Sequence, residues 1–381
     1  MATTDTTLST YPQTQGDNVK KHYLGVAIIS LLTSYGAQAD NLSDAFKNGT
    51  VSGDLNLFYK GIDNRSSTDS GYGTGFLGLK YETAPLNGLQ MGLALRHGSE
   101  LDEDNPGDSD EGVGTLVTEA YLSYRGDGFG AVLGRQAVDL EWVGDYHEAV
   151  TLTSDMLPAT ELTAGYSRSL AVADEDDLRH SFTDIGDNGA WFLDAKVSPA
   201  EGLVLNPYYI HVNDIFDGLG LKADFEHASG LGLTAHYAAS DVEVAGEADG
   251  AILHLELRGT MGGLALAAGY IDTDRQCGVG HLDDLGENIN PLEDGNQVYV
   301  ADAQTWYLGA EYSIGHATLG LIVGHSDYAG NSEEREINLA LGYDLADIAE
   351  NLSVNLVYAD IDADANSDDY EKLTLMLSYG F

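Results

Sequence analysis

Arg125 and Arg135 stand just ahead of four carboxylates, Asp139, Glu141, Asp145 and Glu148. Two guanidiniums set against four carboxylates would create a local field that orients dipolar solutes, and the acidic excess would favour cations. Covalent chemistry has less to work with. Ser, His and Asp are all present, but no G-x-S-x-G elbow occurs, so nothing joins a nucleophile, a base and an orienting acid. The histidines lack H-E-x-x-H spacing. The single cysteine, Cys277, provides neither a disulfide framework nor a Cys-based zinc site. The runs Asp102-Glu103-Asp104 and Asp108-Ser109-Asp110-Glu111 offer hard oxygen ligands to Ca²⁺, without a full twelve-residue ligand loop. No other metal and no cofactor is expected, and no enzymatic step.

The elements that must position these residues are strands. In the last segment Leu373, Leu375, Leu377, Tyr379 and Phe381 share one face, and Lys372, Thr374, Met376, Ser378 and Gly380 the other. Leu116, Thr118, Ala120, Leu122 and Tyr124 alternate in the same way with Glu119, Tyr121, Ser123 and Arg125. Gly (46) and Tyr (22) are abundant and Pro (7) is scarce, as strands and tight turns require. The pattern predicts eighteen strands, near 51–60, 73–82, 88–97, 115–125, 129–137, 147–156, 160–171, 189–198, 203–213, 218–227, 231–240, 249–259, 263–273, 302–313, 317–328, 334–344, 351–361 and 370–381. Reading 138–188 as one long loop would leave sixteen. Short turns such as 126–128 and 315–316 alternate with long acidic connections such as 98–114, 173–189 and 275–300. That is the plan of an all-β transmembrane antiparallel up-and-down barrel. A soluble sandwich would have to face water along the outward stripes, which here are apolar. Tyr59, Tyr81, Tyr124, Tyr237, Tyr270, Tyr343, Tyr358 and Tyr379 lie near strand ends, as interfacial girdles do. A closing aromatic, Phe381, is the usual signal read by outer-membrane assembly machinery.

Ahead of the strands, Lys20 and Lys21 precede an apolar run from Tyr23 to Leu32 and the site Ala37-Gln38-Ala39. This is a secretory signal peptide over 20–39, with 1–18 as an extension ahead of it. The expected start is Val19. The remainder, 40–381, reads as one barrel with no second domain, and only about ten residues, Asp40–Gly49, precede the first strand, too few for a plug domain.

By alternation Asp54, Asn56, Lys60, Lys80, Arg96, Glu119, Arg125, Asp194, Lys196, Lys222, Asp224, Glu226, His254, Glu256 and Arg258 face inwards. A barrel of this size leaves an aqueous channel. Arg135 follows the apolar Leu133 by two; a lipid-facing charge at mid-membrane costs about 2–4 kcal/mol, which favours the lumen. The expected constriction sets Arg125 and Arg135 on one wall against Asp139, Glu141, Asp145 and Glu148.

Three further stretches carry a resemblance. They are Asn41-Leu42-Ser43-Asp44-Ala45-Phe46-Lys47-Asn48-Gly49 with Val51-Ser52-Gly53, then Leu133-Gly134-Arg135-Gln136 with Asp139-Leu140-Glu141-Trp142, then Asp184-Ile185-Gly186-Asp187-Asn188-Gly189-Ala190 with Leu205-Asn206-Pro207-Tyr208-Tyr209. The chain resembles the Gram-negative specific porins, and more closely the major outer-membrane porins of Campylobacter-like bacteria. The resemblance implies an eighteen-stranded homotrimeric barrel in outer-membrane lipid. A third loop, near 138–147, would turn inwards and narrow the pore, and a cation such as Ca²⁺ becomes conceivable at the eyelet carboxylates. The function implied is passive diffusion of ions and small hydrophilic solutes; a structural or adhesive surface barrel is the alternative.

With 62 Asp+Glu against 17 Lys+Arg, the formal charge of -45 excludes a phosphate-neutralising nucleic-acid surface. It stays at -45 after loss of 1–39, and its excess is expected in outer loops at 98–112, 173–188, 241–249, 281–294 and 362–369. Sequencing of the mature protein should begin at Asp40; a product starting at Ala2 would remove the leader.

Overall fold

The computed structural model describes residues 38–287, 289–330, 332–364 and 369–381. The leader expected over 20–39 lies outside them apart from its last two residues. A short helix, α1 (Leu42–Lys47), comes first. It is followed by β1 (Thr50–Asn64), β2 (Ser70–Glu82), β3 (Leu89–Glu103), β4 (Gly114–Gly126), β5 (Phe129–Ala137), β6 (Tyr146–Ser154) and β7 (Thr160–Ala171). The chain continues through the two-residue β8 (Thr183–Asp184), then β9 (Ala190–Ala200), β10 (Leu203–Val212), β11 (Phe216–His227), β12 (Leu231–Val242) and β13 (Gly250–Met261). The last elements are β14 (Leu264–Thr273), β15 (Gln304–Ile314), β16 (Ala317–Tyr328), β17 (Ser332–Asp344), β18 (Leu352–Ala363) and β19 (Tyr370–Gly380).

Neighbours in the chain pair antiparallel all the way round, and β19 returns to β1 in continuous register from Asp54↔Gly380 to Asn64↔Tyr370. Phe381 extends that seam, because its N–H donates to the Gly53 carbonyl and its carbonyl oxygen accepts from the Gly53 N–H, both at 2.9 Å. β8 pairs only with the end of β7, which otherwise pairs with β9. The closed barrel therefore has eighteen strands. The stretch 138–188 contains β6 and β7, so the sixteen-strand count does not hold.

Closure satisfies every ladder group without water, as a hydrocarbon setting demands. It also divides side chains into two sets. Leu55, Leu57 and Tyr59 on β1 point outwards with Leu219 and Leu221 on β11 and Leu255 and Leu257 on β13, whereas Asn56, Lys222 and Glu256 point inwards. Tyr124, Tyr237, Tyr343, Trp191 and Trp306 are outward and exposed.

One stripe departs from simple alternation. Alternation predicts Leu116 and Leu122 on one face, yet Leu116 is 3% exposed and Leu122 46%. The register slips between Ala94 and Arg96 opposite, so β4 carries a bulge there and its two halves present opposite parities. Leu116 and Thr118 thus face inwards above the bulge, while Glu119 and Tyr121 do so below it.

Tight turns close one end. In the β2–β3 turn Asn87 and Gly88 have φ of 52° and 83°, the left-handed pair whose twist matches the flanking strands. A side chain at Gly88 would sit 2.3 Å from the Arg125 carbonyl oxygen. Helix α1, capped by the Asn41 side chain on the Asp44 N–H, packs Ala45 against Ala39 and Ala84 at this end. The connections at the other end range from three residues, as at 213–215, to 274–303, the longest.

Replacing an outward mid-strand leucine should expose the orientation directly. Leu255→Arg is expected to weaken folding into vesicles by about 2–4 kcal/mol in urea titrations; no loss would place Leu255 inside.

Candidate functional site

The barrel interior is crossed by three connections. The third, 138–145, is closed by the Val138 N–H donating to the Asp145 carbonyl at 2.8 Å and by mutual bonds between Leu140 and Val143. Trp142, at φ 60°, sits at its tip. That geometry throws Glu141 and Trp142 onto the facing part of the wall. The Trp142 Nε1–H donates to Tyr208 Oη at 2.8 Å, and Tyr208 Oη lies 2.7 Å from His236 Nε2. Glu141 accepts from Lys222 Nζ at 2.9 Å. Burial of the whole indole makes the tip an anchor.

The seventh connection, 274–303, spans the interior like a chord. Near its start Leu282 and Leu285 join Trp142 and Val143 in one apolar cluster with the inward Phe192, Ile210, Phe216, Ile252 and Ile271. The Gly144 N–H donates to the Leu285 carbonyl at 2.9 Å, tying the two loops. His281 bridges to the sixth connection, with Nδ1 2.8 Å from Asp284 and Nε2 2.7 Å from Glu247. The hydrogen bond to Asp284 raises its pKa to about 9. Farther along, Glu336 of β17 accepts from the Asp294 and Gly295 N–H groups at 2.9 and 2.8 Å. Lys372 of β19 pairs with Asp294 and lies 3.5 Å from Glu293.

The fourth connection carries Asp174-Glu175-Asp176-Asp177. Glu175 accepts from Asn56 Nδ2 at 2.6 Å and lies 3.9 Å from Arg96; Asp176 lies 3.7 Å from Lys60. Ala173 and Leu178 pack on Phe76 and Leu116. Burial pushes the Glu175 carboxyl up and the Asp176 carboxyl to about 7, with Lys60 opposing the second shift. The expectation that the acidic stretches 173–188 and 281–294 hang outside is therefore corrected. Parts of both are folded onto the inner wall, because interspersed apolar side chains bury there and wall cations receive the carboxylates.

The expected wall residues are distributed as follows. The ladders place Asp54, Lys80, Arg96, Glu119, Asp194, Lys196, Lys222, Glu256 and Arg258 on the inner face. Lys80 pairs with Glu119 at 2.9 Å, Arg258 with Glu256 at 3.0 Å and Glu226 at 2.6 Å, and Arg96 lies 3.9 Å from Asp54. Asn206 donates to Asp194 at 2.8 Å.

The six-residue constriction does not assemble. Arg125 lies beside the tight turn 127–128, while Arg135 pairs with Ala120, five residues farther up β4, about 17 Å along the strand. Arg135 keeps the ladder side of Leu133, opposite to that of Gln136, so the expected inward facing is corrected. It is accommodated there by Glu148, directly across on β6 at 2.9 Å, and by the Phe182 ring, 4.5 Å away. Arg135 and Glu148 are wall neighbours, not opposing sides of a pore. Asp139 is exposed, and Asp145 turns the chain at φ 67°. Of the four carboxylates, Glu141 is brought to a cation across the interior, Lys222 of β11.

Sequence reasoning missed Trp142, Tyr208, Glu175, Asp176, Glu293, Asp294 and Glu336 as parts of the site. The readable signal was apolar residues inside acidic loops, Leu178 in one and Leu282, Leu285, Ile289, Leu292 and Val298 in the other. At the acidic runs, Asp108 accepts from the Gly71 and Asn105 N–H groups, and Glu103 from Gly107 N–H and Ser109 Oγ. A Ca²⁺ ion would have to compete with these bonds.

A family model described as Gram-negative porin matches residues 25–367. Among solved structures, Pseudomonas aeruginosa OccK9 (OpdG) is similar at 18% identity, covering 88% of this chain and 99% of its own, with a TM-score of 0.77. Pseudomonas aeruginosa OpdO is similar at 16% identity, covering 89% and 98%, with a TM-score of 0.76. Pseudomonas aeruginosa OpdK with vanillate is similar at 15% identity, covering 88% and 99%, with a TM-score of 0.74. No curated protein matches the chain.

Because burial raises the Asp176 pKa to about 7, the folded state holds its proton more tightly than the open loop does. This contribution is present at low pH and is lost as pH rises from about 4 through about 7. Hydrogen exchange of the 173–178 amides, corrected for intrinsic rate, should accelerate over that window, and Asp176→Asn should flatten the dependence.

Proposed function

The chain belongs to the Gram-negative porin family, and on that premise we propose that its outer-membrane channel prefers cations. It is an outer-membrane β-barrel for passive passage of small hydrophilic solutes, and both the family and the structural neighbours point to a channel rather than an enzyme.

One observation carries the preference for cations. The inner-wall cations Lys60, Lys80, Arg96, Lys222, Arg258 and Lys372 each have a carboxylate within 4.0 Å, several supplied by the inward loops. Their fields are thereby largely cancelled. Asp194, Glu334 and Glu336 also face inwards and have no cation within 4.0 Å among the described residues, against Lys196, an inward cation with no carboxylate that close. A permeating ion meets a net negative wall, which concentrates cations. The proposal includes a homotrimer in outer-membrane lipid, assembled by machinery that reads Phe381. That residue is 48% exposed at the seam, where a receptor can reach it.

Reversal potentials across a KCl gradient test the selectivity. Cation preference is expected, and Glu141→Gln, by freeing the charge of Lys222, should reduce it. Anion preference in the unaltered protein would overturn the reading. Absence of conductance would favour a structural surface barrel.

A further inference from the structure

We propose that the outer surface of the barrel carries a divalent-metal site of the zinc type, made by His325, Asp327 and Glu333. His325 and Asp327 are two residues apart on β16 and therefore share a face. Glu333 of β17 is the direct cross-strand partner of Asp327. His325 pairs on its other side with Trp306, an outward and exposed residue that packs against Tyr270 at 4.2 Å between ring centroids. The group thus lies at the outward aromatic level near the loop end, away from the channel interior.

The ligating atoms converge. One imidazole nitrogen, His325 Nε2, lies 3.6 Å from Asp327 Oδ1 and 3.7 Å from Glu333 Oε2, and one donor atom from each of the three falls within 4.8 Å of the others. The two shorter separations exceed a hydrogen bond. They are close to the spacing of about 3.4 Å between ligands held on bonds of about 2.1 Å in a tetrahedron. Small side-chain rotations would therefore seat an ion. The backbone positions are held by a regular ladder rather than by a mobile loop tip, which lowers the ordering required on binding.

Donor identity selects the ion. One imidazole and two carboxylates suit Zn²⁺ and its first-row neighbours, whereas Mg²⁺ and Ca²⁺ favour oxygen ligands in greater number. Water would complete the shell on the exposed side. Arg335, the cross-strand partner of His325, stands on the same face and opposes a dication. It tunes affinity downwards and provides an internal control of opposite sign.

The full barrel in detergent, titrated calorimetrically with Zn²⁺ and in parallel with Mg²⁺, tests the site. His325→Ala and Asp327→Asn should each weaken Zn²⁺ binding at least tenfold, while Arg335→Gln should strengthen it. Unchanged single-channel conductance in all three variants verifies that the barrel is folded. Cu²⁺ substituted for Zn²⁺ should show one histidine nitrogen by pulsed electron paramagnetic resonance, lost in His325→Ala. Zn²⁺ affinity unaffected by His325→Ala, or equal binding of Mg²⁺, would overturn the proposal and assign any bound ion to the lumen carboxylates.

Discussion

The structure depends on the seam between β1 and β19. In hydrocarbon no water is available to satisfy an open edge, so an eighteen-stranded sheet is stable across a membrane only when its first and last strands pair. Here that pairing runs unbroken from Asp54 to Asn64 and is continued by Phe381. Once it is made, every strand has a fixed lipid side and a fixed inner side. The separation of Leu255 from Glu256, or of Leu221 from Lys222, follows from closure and pleat together.

The inner surface is not simply a solvated wall. Three connections return into it, and each uses the same device: apolar side chains dock a loop while its carboxylates meet wall cations. Trp142 and Glu141 do this at β10–β12, Leu178 and Asp176 at β1–β4, and Leu292 and Asp294 at β17–β19. The last pair is the most secluded, with Lys372 and Asp294 side chains 3% and 2% exposed. Removing one partner of such a pair leaves the other charge uncompensated, typically at a cost of about 3–5 kcal/mol. Lys60 and Lys372 stand on adjacent strands and receive carboxylates from different loops, so the two docked segments share one stretch of wall.

This arrangement changes the meaning of the net charge of -45. Part of the acidic excess lies in outer loops, such as 102–111, where carboxylates cap backbone N–H groups. Another part is turned inside and cancels the cations on the wall. The acidic excess therefore neutralises wall cations inside the barrel as well as charging the outer loops.

The sequence by itself determined the barrel, its eighteen strands and the inward placement of residues such as Lys80, Lys222 and Arg258. Period-two patterning is local and survives any register, so it is readable without knowing which strands meet. It failed at β4, because a bulge is a mismatch between two strands and neither strand shows it alone. It failed for Arg135 because a charge beside Leu133 could be resolved only by seeing Glu148 directly across and Phe182 beside it. Above all, the site was decided by tertiary structure. Glu141 with Lys222, Asp176 with Lys60 and Asp294 with Lys372 join residues far apart in the chain. Such pairs depend on where a loop crosses the closed barrel, a distance that no strand pattern encodes.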